Sequence, residues 1–151
     1  MAQSASEAES LFNSKQYAKA KTMYEALLKK KPNDALNNYR LARCCYELNQ
    51  YEDAVKYFER SGNRYTLKDL YLGEAYFHTY SFDLSVSAYQ TFIATLTSTD
   101  ERLEELNLKL KKSELAARLL NRVEDIAVVD SQVVNKTDFL RYYKFSKELG
   151  T

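Results

Sequence analysis

Apolar residues over the first hundred positions recur at spacings of three and four, which predicts helices with one buried side. Leu36, Tyr39, Leu41, Ala42, Cys45 and Tyr46 cluster on one side of such a helix, and Ala54, Val55, Tyr57 and Phe58 on one side of the next. Their junction, LNQY, lacks proline but carries Asn49, a residue able to terminate a helix.

The same two-helix phrase occurs three times. Phe12, Tyr17, Ala20 and Tyr24 return as Tyr46, Tyr51, Ala54 and Phe58, each 34 residues later. A third copy, Phe77, Phe82, Ser85 and Tyr89, follows after 31 residues, so its connection is three residues shorter. A small residue recurs upstream as Ala8, Ala42 and Gly73; the position before it reads Glu7, Leu41 and Leu72, so the first copy is weaker there. One helix pair of this length cannot bury its apolar side alone, whereas stacked pairs make a continuous core. The small residues serve that stacking: Ala8, Ala42 and Gly73 let the two helices of a pair approach, and Ala20 and Ala54 admit the next helix.

Helix starts are expected at Ser4 with Glu7 and at Ser98 with Glu101, both spaced as capping boxes, and more weakly at Thr66–Asp69. A long helix over about 99–121 follows, with Leu103, Leu106, Leu110, Ala117 and Leu120 on one side. It reads as the cap that covers the last apolar face of the array, and Lys109, Lys111, Lys112 and Glu114 read as its solvated side. Residues 124–136 are rich in Val and Ile and read as strand-prone, with Ile126, Val128, Val133 and Val134 expected to pair as a short hairpin, to dock on another copy of the chain, or to stay poorly ordered. Thr137 or Asp138 would cap one or two further helical turns, and the chain is expected to continue into another domain.

The spacing, the small–aromatic–small–aromatic order and Pro32 after EALLKKK resemble the tetratricopeptide repeat. Three repeats fit, at about 4–32, 35–64 and 67–97. Ser85 in an alanine position, the missing later prolines and the shortened second connection depart from the pattern. The resemblance implies an all-α solenoid of three helix pairs with a capping helix over residues 1–121, then a β-prone tail over 122–151. A second resemblance rests on Asp130, Ser131, Val133, Val134, Asp138, Phe139 and Leu140. Their order after the repeats is similar to Gram-negative envelope proteins that join such repeats to a β-propeller and a peptidoglycan-binding OmpA-like domain. It implies a periplasmic or outer-membrane-associated location, a cytoplasmic adaptor being the alternative. Ala2, Ser4 and Ala5 would suit the stub left by cleavage of a secretion signal.

Composition narrows the function classes. Net charge is +1, so no strong field directs the chain to nucleic acid, and no run of about 18 apolar residues suggests membrane insertion. Only 3 Gly and 1 Pro fit a helical chain better than a turn-rich β fold, and 13 Tyr with 7 Phe supply the aromatic repeat positions. Cys44 and Cys45 are adjacent and so point about 100° apart on a helix, which suits packing rather than a disulfide. His78 is the only histidine, and with no phosphate loop or metal-ligand spacing the sequence reads as non-enzymatic, without cofactor or metal.

Binding is the expected activity, with a protein or peptide as partner. In the repeat family the first helix of each pair lines the concave surface. The resemblance assigns to it Glu9 and Phe12, then Leu36, Tyr39, Arg43 and Tyr46, then Leu70, Glu74, Phe77 and His78. Packing is the competing role for Phe12, Tyr46 and Phe77, which share one repeated position. Some chaperone-binding members clamp a peptide carboxylate at the positions matching Ala5, Glu9, Arg40, Leu67 and Tyr71. Only Arg40 could serve here and Glu9 would repel the carboxylate, so that mode is disfavoured. The alternative to partner capture is a scaffold for an adjoining domain.

Overall fold

The computed structural model describes the backbone of residues 2–129 and the side chains of residues 4–122. Seven helices follow one another among these residues: α1 (Ala2–Asn13), α2 (Tyr17–Lys30), α3 (Ala35–Glu47), α4 (Tyr51–Arg60), α5 (Lys68–His78), α6 (Phe82–Ile93) and α7 (Leu103–Val129). Three-residue turns fold α1 on α2, α3 on α4 and α5 on α6. Each later pair stacks on the one before: α3 packs between α2 and α4, α5 between α4 and α6, and α7 closes the row against α6. Helix α3 also touches α5 directly, so first helices of successive pairs share one face of the solenoid.

The three turns are built alike, although only one has an obvious turn residue. Lys15, Asn49 and Tyr80 occupy the same position and all adopt left-handed backbone, with φ of 58°, 57° and 61°. In each turn the next N–H reaches back five residues: Gln16 to the Leu11 carbonyl (2.9 Å), Gln50 to Cys45 (2.8 Å) and Ser81 to Tyr76 (2.9 Å). This six-residue loop satisfies carbonyls that the helix end would leave bare. Asp34 starts α3 by accepting a hydrogen bond from the Asn37 N–H at 2.9 Å. Buried Asn38 donates from Nδ2 to the carbonyls of Pro32 and Asp34, both at 2.9 Å, and so fixes the connection between the first two pairs.

The small positions work as sequence spacing predicts. Ala8, Ala20, Ala42 and Ala54 are fully buried, and Tyr24, Phe58 and Tyr89 fill the matching place on the second helix of each pair. At Gly73 the Tyr89 ring occupies the space that a side chain would need. Ser85, which stands where the other pairs have Ala20 and Ala54, is fully buried and polar for a reason. Its Oγ donates to the Gly73 carbonyl at 2.7 Å and lies 2.9 Å from the hydroxyl of Ser113 on α7, itself fully buried.

Helix α7 departs from expectation at both ends. It starts at Leu103, not Ser98, because Asp100 organises the turn instead: its carboxylate accepts from the Arg102 N–H at 3.0 Å and from the guanidinium at 2.7 Å. Likewise α1 starts at Ala2, which leaves Ser4 inside the helix rather than at its cap. At its far end α7 continues through Val129 and takes in Ile126 and Val128, which had been expected in a strand. Strand preference is a property of context, and extending an existing helix needs no new nucleus. Val133, Val134 and the cap at Thr137 or Asp138 lie outside the described residues.

Candidate functional site

Side chains from α1, α3, α5 and α7 meet across the shared first-helix face. At its start Glu9 accepts from the Tyr24 hydroxyl at 2.9 Å and forms an ion pair with Arg40, whose guanidinium lies 4.7 Å from the Phe12 ring centre. Burial, reinforced by Glu9, pushes the Tyr24 hydroxyl far above its ordinary pKa, so it stays a donor. One turn on, Arg43 sits 3.8 Å over the ring of Tyr71 and donates to Glu47 at 2.9 Å. Tyr46 packs edge-on against Tyr71 (4.9 Å) and Tyr51 (5.9 Å), and Tyr51 stacks on His78 at 4.1 Å. These ring contacts join three helices by aromatic and cation–π attraction, each on the order of 1 kcal/mol.

Glu74 is the hub of the last third. It accepts from the Tyr89 hydroxyl and from Lys109 of α7, both at 3.0 Å, while His78 Nε2 lies 3.7 Å away. His78, then Lys109 and Tyr89, hold the Glu74 carboxyl at a pKa of about 2 against the opposing effect of burial. Phe77, Lys112 and these residues surround a small hollow between α5 and α7. Arg40, Glu74, His78 and Lys109 keep roughly a quarter to a third of their side chains exposed, so the face is charged, patterned and reachable.

The structure sorts the residues expected on the binding surface. Glu9, Phe12, Arg43, Tyr46, Glu74 and His78 come together on the first-helix face, with Phe12 and Tyr46 also packing on the core. Leu36 is 51% exposed. Tyr39 must be taken out of the surface: it is 8% exposed, stacked on Tyr65 at 4.1 Å and edge-on to Phe58, because its side chain turns toward the α3–α4 interior. Phe77, partly buried, packs 5.4 Å from Phe82 and also borders the hollow beside Glu74 and His78, and Leu70 is partly buried against the cluster that holds Tyr89, Phe92 and Leu106.

Sequence reasoning gives Arg40 and Tyr71 only as clamp positions, and it misses Tyr51 and Lys109 altogether. The charge pattern puts Lys109 on the solvated side of the closing helix, yet it pairs with Glu74 across 35 residues. The available signal was that α7 follows α6 as a first helix follows a second, which makes its inner residues part of the same face. Arg40 is committed to Glu9, which leaves no free cation at the clamp position of the chaperone-binding mode.

Cys44 and Cys45 are fully buried in α3, and burial pushes their thiols up to about 12 and about 11, so neither is a thiolate near neutral pH. Among the described residues no group of three or more His, Cys, Asp or Glu side chains could hold a metal ion, and no helix is long and apolar enough to cross a membrane.

Residues 11–67 match the tetratricopeptide repeat family model. The match runs from the end of α1 through the second pair and stops at the residue before α5. The third pair repeats the same turn geometry and small–aromatic packing, and the fold is a tetratricopeptide-like α-solenoid. Tetratricopeptide repeats generally mediate protein–protein interaction and are typically not catalytic. No curated protein matches the chain.

Proposed function

We propose that this chain is a non-enzymatic interaction module that captures a partner protein or an extended peptide on the first-helix face. The observation that carries the reading is the unbroken row from Phe12 and Arg40 through Arg43, Tyr46 and Tyr71 to His78, Glu74 and Lys109. Partly exposed Tyr and Arg are efficient anchors, since they bury large area and still offer hydrogen bonds. Their mutual packing fixes the rotamers beforehand, which lowers the entropy lost on binding. Selection of a random peptide library displayed on phage tests the reading. Selected peptides should lose about tenfold or more in affinity when Tyr46 and His78 are both changed to alanine, with helical content intact. Peptides that bind the double variant as well as the parent would overturn it.

We also propose an envelope-associated role in the periplasm. It is supported by the likeness of residues 130–140, which lie outside the described region, to the lead-in segment of repeat–propeller–OmpA-like proteins. Fractionation of the source cells checks it: recovery in the periplasmic or outer-membrane fraction is expected, and recovery in the cytoplasm alone would refute it.

A further inference from the structure

Each of α3 and α5 has a helix of its own pair on one side and the preceding pair on the other, whereas α7, which stands where a fourth first helix would, has α6 and the edge of α5 on one side and no described helix on the other. On its other side Leu108, Leu115 and Leu119 are 55%, 58% and 43% exposed. Spacings of seven and four put them on one stripe. They are three of the five large hydrophobic side chains exposed among the described residues. The stripe has a polarity along the helix: exposed Glu101, Glu104 and Glu105 lie at its start, and Lys111, Lys112 and Arg122 lie along its later turns.

We propose that a second copy of this chain covers the stripe, with the two α7 helices packed antiparallel about a twofold axis. A parallel copy would set the acidic start against an acidic start. The antiparallel copy, with its axis between Ser113 and Glu114, sets Leu108 of one chain against Leu119 of the other, brings the two Leu115 side chains close to the axis, and runs Glu104 and Glu105 beside Arg122 twice. A shallow groove bordered by Glu101, Glu104, Leu108 and Lys111 receives the partner helix at each end. Such a contact is self-complementary and closes at two copies, so it adds an edge to neither chain. It also leaves the first-helix face open in both copies, because Lys109 and Ser113 turn the opposite side of α7 toward α5 and α6.

Sedimentation velocity of the full chain over a wide concentration range tests this. A monomer–dimer equilibrium is expected. Leu115→Glu should weaken it about tenfold or more while leaving the circular dichroism of the monomer unchanged. Glu104→Arg and Arg122→Glu should each weaken the dimer, and together should restore it. A chain that stays monomeric throughout, a dimer indifferent to Leu115→Glu, or a double reversal no tighter than the single ones would each overturn the proposal. So would a monomer that dimerises only when residues 130–151 are deleted, because the stripe would then belong to the chain's own tail.

Discussion

The Tyr89 ring covers the α-carbon of Gly73 so closely that a methyl group there would lie 2.8 Å from both Cδ1 and Cε1. Tyr89 has little freedom to yield, since it is 2% exposed and its hydroxyl is tied to Glu74. Alanine favours a helix interior over glycine by about 1 kcal/mol, but overpacking typically costs about 1–3. Gly73→Ala should therefore destabilise the fold by about 1 kcal/mol, read as a lower urea midpoint. Pairing it with Tyr89→Leu should cost less than the sum of the two single changes.

Tyr39 and Leu36 make a contrasting pair on α3. Tyr39→Ala removes a ring packed on Phe58 and Tyr65 and should cost about 3 kcal/mol. Leu36→Ala removes a half-exposed side chain and should stay within about 0.5 kcal/mol. Chemical denaturation of both variants checks the ordering, and equal losses would contradict the placement of Tyr39.

Lys15 holds φ of 58° with a side chain that gains nothing from that backbone. Lys15→Gly should raise stability by about 0.5–1 kcal/mol, because glycine adopts this region freely. Asn49→Gly, at φ of 57°, should gain less, since asparagine already tolerates it. Thermal melts rank the two; a drop in Tm for Lys15→Gly would contradict the turn geometry.

Glu74 should make stability depend on acidity. Its folded pKa of about 2 lies below its ordinary 4.5, so its contribution is complete above the ordinary value and is lost as pH falls from about 5 toward 2. The gap corresponds to at most about 3 kcal/mol. The stability difference between the parent chain and Glu74→Gln, followed by urea unfolding over that range, should shrink as the pH drops. A difference that stayed constant would refute the role given to His78, Lys109 and Tyr89.

Much of the solenoid was legible because its determinants are periodic. The 34-residue return of Phe12, Tyr17, Ala20 and Tyr24 encodes stacking directly, and each of these positions packs as the repeat requires. The turns were less legible, since Lys15 and Tyr80 are imposed on left-handed backbone by the helices they join rather than by their own preference. The site was legible only in part. Helical spacing places Tyr39 and Arg43 near one another, but four residues apart is enough for one to point inward and the other across to Tyr71. Lys109 could be placed only once α7 was known to dock beside α5, which is a long-range fact. The strand preference of Ile126 and Val128 misled because a preceding helix overrode it.

Ser85 bears on how a repeat array ends. Ala20 and Ala54 present a methyl group, which would accept any apolar helix of similar shape. The hydroxyl at Ser85 accepts a narrower set of neighbours, because a helix without a counterpart to Ser113 would leave it dry on that side. The third joint is thus keyed to one specific helix, whereas the first two are generic. A simple duplicate of an earlier first helix in the place of α7 is therefore disfavoured.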